Sequence, residues 1–134
     1  GGLGAGLFAL AGAKLHPRYE IVMQYLELDE LLKDSDLVLT AEGGIDFQTP
    51  RGKIPSEVAS RAKQFGLPVI ALAGTVGKGA KINYDHGIDS FLSILDKPCS
   101  LSEAIENAPS LLKHAAERAM RFVMIGQQMK LVNV

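Results

Sequence analysis

Three short apolar runs separated by helix-like segments constrain this chain most. Asp36-Leu37-Val38-Leu39-Thr40-Ala41 and the run from Pro68 to Ala73 are continuous apolar stretches with polar or turn residues at their ends. Such runs suit parallel strands covered on both faces. Ser90 to Leu95 reads as a third strand. Between the first two, Pro55 opens a helix that carries Ile54, Val58, Ala62 and Phe65 on one face, and Gly66 is placed to end it. Strand, loop, helix and strand in this order predict a right-handed βαβ crossover.

The flanks add helices. A glycine-containing connection runs from Gly74 to Gly87, with a short helix expected over Lys81–Asp85. Ser100 and Glu103 have capping-box spacing, so a helix starts near Leu101. Pro109 interrupts it. A last helix runs to about Ile125, with Leu111, Leu112, Ala115, Ala119, Phe122 and Val123 as its buried stripe. Ahead of the first strand, residues 1–12 predict a small-residue helix ending near Gly12. Residues 17–26 predict a second, with Pro17 in its first turn and Ile21, Val22, Tyr25 and Leu26 at helical spacing. Asp29 to Lys33 adds a short helical turn. The expected architecture is α/β: a three-layer α/β/α unit with a short parallel sheet, preceded by N-terminal helices. Residues 1–134 are read as a single α/β domain, with a helical segment over 1–33 and the βαβ unit over 34–126.

Composition narrows the function classes. With 134 residues, 47% hydrophobic and 22% charged, the chain is long enough to bury a core without disulfides or metal. Fourteen Lys and Arg against fifteen Asp and Glu give a net charge of −1. That is not the basic excess of a nucleic-acid binder. Cys99 is the single cysteine and has no internal partner; nothing beside it marks an activated thiolate. His16, His86 and His114 lie far apart, without metal-ligand spacing. No apolar run approaches the ~20 residues that span a bilayer. Gly1 to Ala13 resembles a signal-peptide core but lacks the positive segment that precedes one. A cytoplasmic location is expected. The sequence begins at Gly1, inside a glycine-rich apolar stretch, and is expected to be a piece of a longer protein.

Ligands of open parallel sheets bind beyond the carboxyl ends of the strands. The loop after the first strand is the richest such place. From Ala41 to Lys53 it holds Glu42 and Asp46, Gly43 and Gly44, Gln48 and Thr49, Arg51 and Lys53, and then opens a helix. The helix N-terminus presents free N–H groups and positive potential, suited to phosphate. Lys53 or Arg51 would neutralise phosphoryl charge; Asp46 or Glu42 would hold Mg²⁺ or accept a hydroxyl proton. The bland counterpart is a solvated loop with a capping Asp. After the second strand, Thr75 and Lys78 are weaker candidates. Gly1 to Leu7 is either a tightly packed helix or a glycine turn whose N–H groups meet a phosphate or carboxylate. Two standard phosphate motifs fail. Gly52-Lys53 and Gly77-Lys78 lack both the following Ser/Thr and the leading glycine of a P-loop. Gly2-Leu3-Gly4 lacks the third glycine and the preceding strand of a dinucleotide fingerprint, which disfavours an NAD-dependent oxidoreductase.

From Thr40 to Pro55 the sequence resembles the bacterial glycerate kinase family, which phosphorylates glycerate with ATP. The family pattern is Thr-Gly-Glu-Gly, a variable residue, then a hydrophobic residue and Asp, then Gln-(Ser/Thr), and shortly Gly-Lys, a hydrophobic residue and Pro. Thr40, Glu42, Gly43, Asp46, Gln48, Thr49, Gly52, Lys53 and Pro55 match it. Gly1-Gly2-Leu3-Gly4 with Gly12-Ala13 resembles the family's glycine-rich helix, and Pro68 to Gly74 its next strand and loop. Gly87-Ile88-Asp89 and Phe91 to Ile94 resemble the strand after that. Ala41 departs from the usual glycine, and Gly44 stands where the family often has a cation. Family enzymes are considerably longer and carry a lysine-containing N-terminal segment and further glycine and Asp motifs. The resemblance therefore implies the C-terminal portion of a two-domain kinase.

The implied reaction is ATP-dependent phosphoryl transfer to a hydroxyl of glycerate, with Mg²⁺. The implied catalytic residues are Asp46 as base or metal contact, Lys53 for substrate or phosphate charge, and Glu42 as an orienting or metal-binding group. Gly1, Gly2, Gly4, Gly43, Gln48, Thr49, Arg51 and Gly74 are the expected substrate- and phosphate-binding positions. The expected partners are glycerate and nucleotide, without nucleic acid or membrane. The chain is also expected to pack against the absent N-terminal portion or to self-associate. The competing expectation is a non-catalytic α/β module that binds a nucleotide or carboxylate.

Overall fold

The computed structural model describes residues 2–16 and 19–129. They fall into two compact units, Gly1–Asp34 and Ser35–Val134. The first unit holds three helices: α1 (Gly2–Ala11), α2 (Glu20–Tyr25) and α3 (Leu28–Lys33). Helix α1 ends before Gly12, whose φ of +62° is the left-handed conformation that closes a helix. Helix α2 is shorter than the periodicity predicts. Pro17, expected in its first turn, lies outside the described residues, as does Gly1. The expected stripe is also displaced: Val22, Tyr25 and Leu26 are exposed, whereas Met23 is buried.

The second unit is built on a three-stranded parallel sheet, ordered β1 (Val38–Ile45), β2 (Val69–Val76), β3 (Ser90–Ser93). Val38 pairs with Val69, and the register runs on to Ile45 opposite Val76. Helix α4 (Ile54–Gln64) joins β1 to β2, and a 3₁₀ helix (Ala80–His86) lies between β2 and β3. Helices α5 (Leu101–Glu106) and α6 (Ala108–Gln128) follow.

The sheet is covered on both faces. Leu72 packs with Ala115 and Ala119 of α6, and Ile70, Leu92 and Ile94 border that cluster. The alternate residues Val69, Ala71 and Ala73 point the other way and are also buried. On their side lies α4, through Ala59 and Ala62, both fully buried. Alanines on both helices let backbone come close to the sheet, which leaves room for leucine and isoleucine on the strands.

Several boundaries differ from the sequence reading. Strand β1 runs four residues past Ala41, because Glu42, Gly44 and Ile45 find pairing partners in Ala73, Thr75 and Val76. Strand β3 stops at Ser93. Helix α4 buries Pro55, Ala59 and Ala62, and leaves Ile54 exposed. Helix α6 buries Ala115 and Ala119, but Phe122 is 72% exposed. The Ser100–Glu103 capping box is present in both directions. Among the described residues, no helix is long and apolar enough to cross a membrane.

Candidate functional site

The carboxyl end of β1 turns sharply at Asp46, and local hydrogen bonds explain the turn. The Gln48 N–H donates to Asp46 Oδ1 at 2.8 Å. In return, the Asp46 N–H donates to Thr49 Oγ1 at 3.0 Å, and the Thr49 N–H donates to the Asp46 carbonyl at 3.2 Å. Short polar side chains that bond their own backbone are what Asp and Thr supply in such turns. Thr49 is fully buried by this arrangement. The chain then enters α4 through Lys53, whose extended backbone (φ −81°, ψ 155°) forms the helix start.

Lys53 folds back over the turn. Its Nζ donates to Asp46 Oδ1 at 3.3 Å and to the Gly44 carbonyl at 3.2 Å. Both side chains are about two-thirds covered, with 32% and 31% exposed. The carboxyl of Asp46 is held below the ordinary aspartate value. The Gln48 N–H is the main cause; partial desolvation opposes it, and Lys53 adds to it as donor and as positive charge. The bonds from the Gln48 N–H, Thr49 Oγ1 and Lys53 Nζ all go to Asp46 Oδ1. The turn therefore presents an ionised oxygen next to an ammonium group, at the N-terminus of an eleven-residue helix.

The loop after β2 packs onto this turn. The Gly77 N–H donates to the Ile45 carbonyl at 2.8 Å, and the Phe47 N–H donates to the Lys78 carbonyl at 3.2 Å. Gly79 has φ +70°, and a Cβ there would sit 3.0 Å from the Phe47 Cβ. Only glycine meets both demands without strain. The Gly-Lys-Gly sequence that fails as a P-loop thus serves as a close-fitting lining for the first turn. Gly74 is constrained as well: a Cβ there would lie 2.7 Å from the Gly43 carbonyl oxygen.

The expected residues separate into two groups. Asp46, Lys53, Thr49 and the backbone of Gln48 converge. Glu42 sits on β1, not in a loop, and its Oε1 accepts from the N–H of its own neighbour Gly43 at 3.1 Å. Arg51 lies over the Phe47 ring, 5.8 Å from its centroid, and not on Asp46. Gly2 and Gly4 belong to the first compact unit, where they are helical and do not form a turn. They do not mark tight packing: a Cβ at Gly2 would meet nothing within 4 Å, and one at Gly4 only a Leu15 methyl at 3.9 Å. Thr75 donates weakly, at 3.5 Å, to the Gly43 carbonyl. Sequence reasoning missed Asn83, which is fully buried and donates to the Asp46 carbonyl at 3.0 Å. The glycines at 77 and 79 were the available signal that this connection packs against something.

A model of the glycerate kinase family matches residues 1–124. The chain belongs to that family. A glycerate kinase of Halalkalibacterium halodurans is 51% identical over 116 residues, which are 87% of this chain and 30% of that protein. A glycerate 2-kinase of Escherichia coli K12 is 38% identical over 128 residues, 96% of this chain and 34% of that protein. A crystal structure from Salmonella typhimurium LT2, assigned as a glycerate kinase 2, is similar with a TM-score of 0.72 and 40% identity. The match covers 96% of this chain and 33% of that one. The chain spans about a third of the length of these relatives. Family membership agrees with the Thr40–Pro55 string, and the parallel α/β fold with the structural neighbour.

Proposed function

We propose that this chain supplies an acceptor- and phosphate-handling part of a glycerate kinase, which transfers a phosphoryl group from ATP to a hydroxyl of glycerate. The supporting observation is the Asp46–Lys53 pair, held by its own turn at the carboxyl end of β1 and the start of α4. Phosphoryl transfer asks little covalent chemistry of a protein; positioning and charge carry most of it. Asp46 Oδ2 orients the acceptor hydroxyl and receives its proton as the new O–P bond forms and the bond to ADP breaks. An aspartate held below its ordinary pKa is a weak base, so this proton moves late, after most of the bond change. Lys53, helped by the positive end of the α4 dipole, meets phosphate or substrate carboxylate charge; Pro55 has no N–H to offer, and the Ser56 N–H already donates to the Lys53 carbonyl. Glu42, Gly43, Gln48, Arg51 and Gly74 line the approach in this reading.

Magnesium fits only in a limited sense. The described residues contain no group of three His, Cys, Asp or Glu that would cage a metal. Mg²⁺ commonly takes one or two carboxylates and fills its shell with water and phosphate oxygens. Asp46 would take that single-ligand role only in place of its role as base, beside a lysine that competes with the metal. ATP supplies the transferable group, and Mg²⁺ screens its charge. The matching proteins are about three times as long, so the whole reaction requires further polypeptide, packed against this chain or supplied by self-association. Both compact units belong to one α/β domain in this proposal, and the protein is cytoplasmic.

The test is Asp46→Asn in a protein of the relatives' full length that contains this chain. Turnover with ATP and glycerate should fall by at least about 100-fold; near-normal turnover overturns the assignment. A second reading, a binding module without kinase activity, is favoured by the way Asp46 Oδ1 is spent on its own loop. Calorimetric titration of the 134-residue chain with ATP–Mg²⁺ and with glycerate separates the two. Binding without turnover by this chain or by the longer protein supports the module.

A further inference from the structure

We propose that Asn83 is a positioning residue for the Asp46 turn: its buried carboxamide fixes the Asp46 main chain and thereby sets where the Asp46 carboxylate meets Lys53. This rests on the reading of Asp46 and Lys53 as the reacting part of the site.

Asn83 lies in the 3₁₀ helix between β2 and β3, and it is 0% exposed. Its Nδ2 donates to two carbonyls, that of Ala80 at 2.7 Å within its own turn and that of Asp46 at 3.0 Å. A carboxamide N has two hydrogens, so both are used. The second bond joins residues 37 positions apart. It completes a set. Ile45, Asp46 and Phe47 are consecutive, and each is tied to the 77–83 segment by a hydrogen bond: the Ile45 and Asp46 carbonyls accept from the Gly77 N–H and Asn83 Nδ2, and the Phe47 N–H donates to the Lys78 carbonyl. Two of these ties are main chain to main chain and depend little on side-chain identity. The tie at Asp46 depends on the Asn83 side chain.

The other end of the carboxamide argues that the donors are what matter. Asn83 Oδ1 is buried and has no partner among the described residues. Leaving a buried acceptor unpaired opposes folding, and an apolar side chain of similar volume would avoid it. Rotating the amide does not help, because it would aim Oδ1 at two carbonyl oxygens. Packing alone therefore does not account for asparagine here, whereas two donors aimed at two carbonyls do.

The test uses isotope-labelled 134-residue chain and nuclear magnetic resonance. In the unsubstituted protein, the Asn83 side-chain amide protons should exchange with solvent at least about tenfold more slowly than those of a free asparagine, as a net hydrogen bond implies. Asn83→Asp keeps the shape but, ionised, puts an acceptor where the donors were. Asn83→Ser shortens the side chain out of reach. In both, the Gln48 and Thr49 amide resonances, which report on the Asp46 turn, should move, while Leu72, Ala115 and Ala119 keep their signals. A variant with native core signals and unmoved Gln48 and Thr49 amides overturns the proposal. If neither variant keeps the core signals, the exchange measurement decides: slow side-chain exchange supports the tie, and free-amide exchange overturns it. None of these readouts involves turnover. Failure of the Asn83 tie is therefore distinguishable from failure of the kinase reading, which the Asp46→Asn turnover measurement tests.

Discussion

Replacing Asp89 by alanine should destabilise the sheet unit by about 2 kcal/mol, through a buried N–H. Asp89 sits just ahead of β3 and takes both main-chain groups of Val69, the first residue of β2. Its Oδ2 accepts from the Val69 N–H at 2.6 Å, and its own N–H donates to the Val69 carbonyl at 2.9 Å. Val69 is 0% exposed, and water reaches its N–H only through the space that the Asp89 side chain leaves. An unpaired buried N–H costs about 1–3 kcal/mol. The same carboxylate pairs with Lys63 Nζ at 2.6 Å, but those side chains are 37% and 49% exposed, so the ion pair adds at most about 1 kcal/mol. In a unit of this size, about 2 kcal/mol lowers the melting temperature by roughly 8–16 °C. Asp89→Asn keeps an acceptor for Val69 and should lose no more than about 1 kcal/mol.

The pH dependence of the same residue has a definite sign. Partial burial disfavours the charged form of Asp89, but the Lys63 and Val69 donors outweigh it and hold the carboxyl below its ordinary 3.8. The unfolded chain therefore binds the proton first as pH falls. The carboxylate's contribution is complete above that ordinary value and disappears as pH drops through the lowered one. Urea unfolding of the native protein and Asp89→Ala, from neutral pH down to about pH 3, should show the gap narrowing with acid. A loss below about 0.5 kcal/mol at neutral pH, or a gap that widens on acidification, refutes the reasoning.

Gly79→Ala forces a left-handed backbone on a residue with a Cβ and drives that atom against Phe47. It should cost about 1–2 kcal/mol in urea unfolding, and an unchanged midpoint contradicts the close-fit account. Ala119→Leu adds three carbons where α6 touches Leu72. It should destabilise by about 1–3 kcal/mol, whereas a neutral or stabilising result means the helix–sheet gap is looser than described. Lys53→Met removes one of the causes that hold the Asp46 carboxyl low and leaves the Gln48 N–H in place. Its titration, followed by carbon resonance, should rise without reaching the ordinary value, and no movement means the pair is not formed in solution.

The alternation of strands and helices was legible because it is local. Each apolar run and each helix stop is written in a few adjacent residues, as Gly66 (φ +71°) and the Ser100–Glu103 box show. What was not legible depended on a partner. Glu42, Gly43 and Gly44 read as a loop, since glycine pairs and an acid are poor strand formers. Opposite β2 they become strand, because Gly74 has no Cβ to strike the Gly43 carbonyl and Gly44 none to strike Thr75. Helix faces were legible only in part: Ala62, Ala115 and Ala119 of the expected stripes are buried, whereas Ile54 and Phe122 are exposed. On α4 and α6 the periodicity points to the large residues Ile54 and Phe122, yet the sheet accepts the alanines. Size matching between helix and strand is set by the opposing surface, which one helix's own sequence does not contain.

The candidate site divides along the same line. Asp46, Thr49 and Lys53 were found because a turn followed by a helix start is a local pattern, and every bond among them spans seven residues or fewer. Arg51 was grouped with Lys53 by charge, but its neighbour Phe47 offers a ring that a planar guanidinium covers well. Two cations two residues apart thus reach different surroundings, and charge alone does not say which one faces the carboxylate. Asn83 carried no signal of its own: an asparagine in a polar connection is unremarkable until the chain 37 residues earlier is brought beneath it. The Gly77 and Gly79 pair did carry one, since glycines flanking a lysine beyond a strand end demand an explanation. Once the phosphate-loop explanation failed on spacing, close packing against the neighbouring β1 turn was the physical alternative. The search for what that turn rests on would then have led to the polar residues of the following 3₁₀ helix.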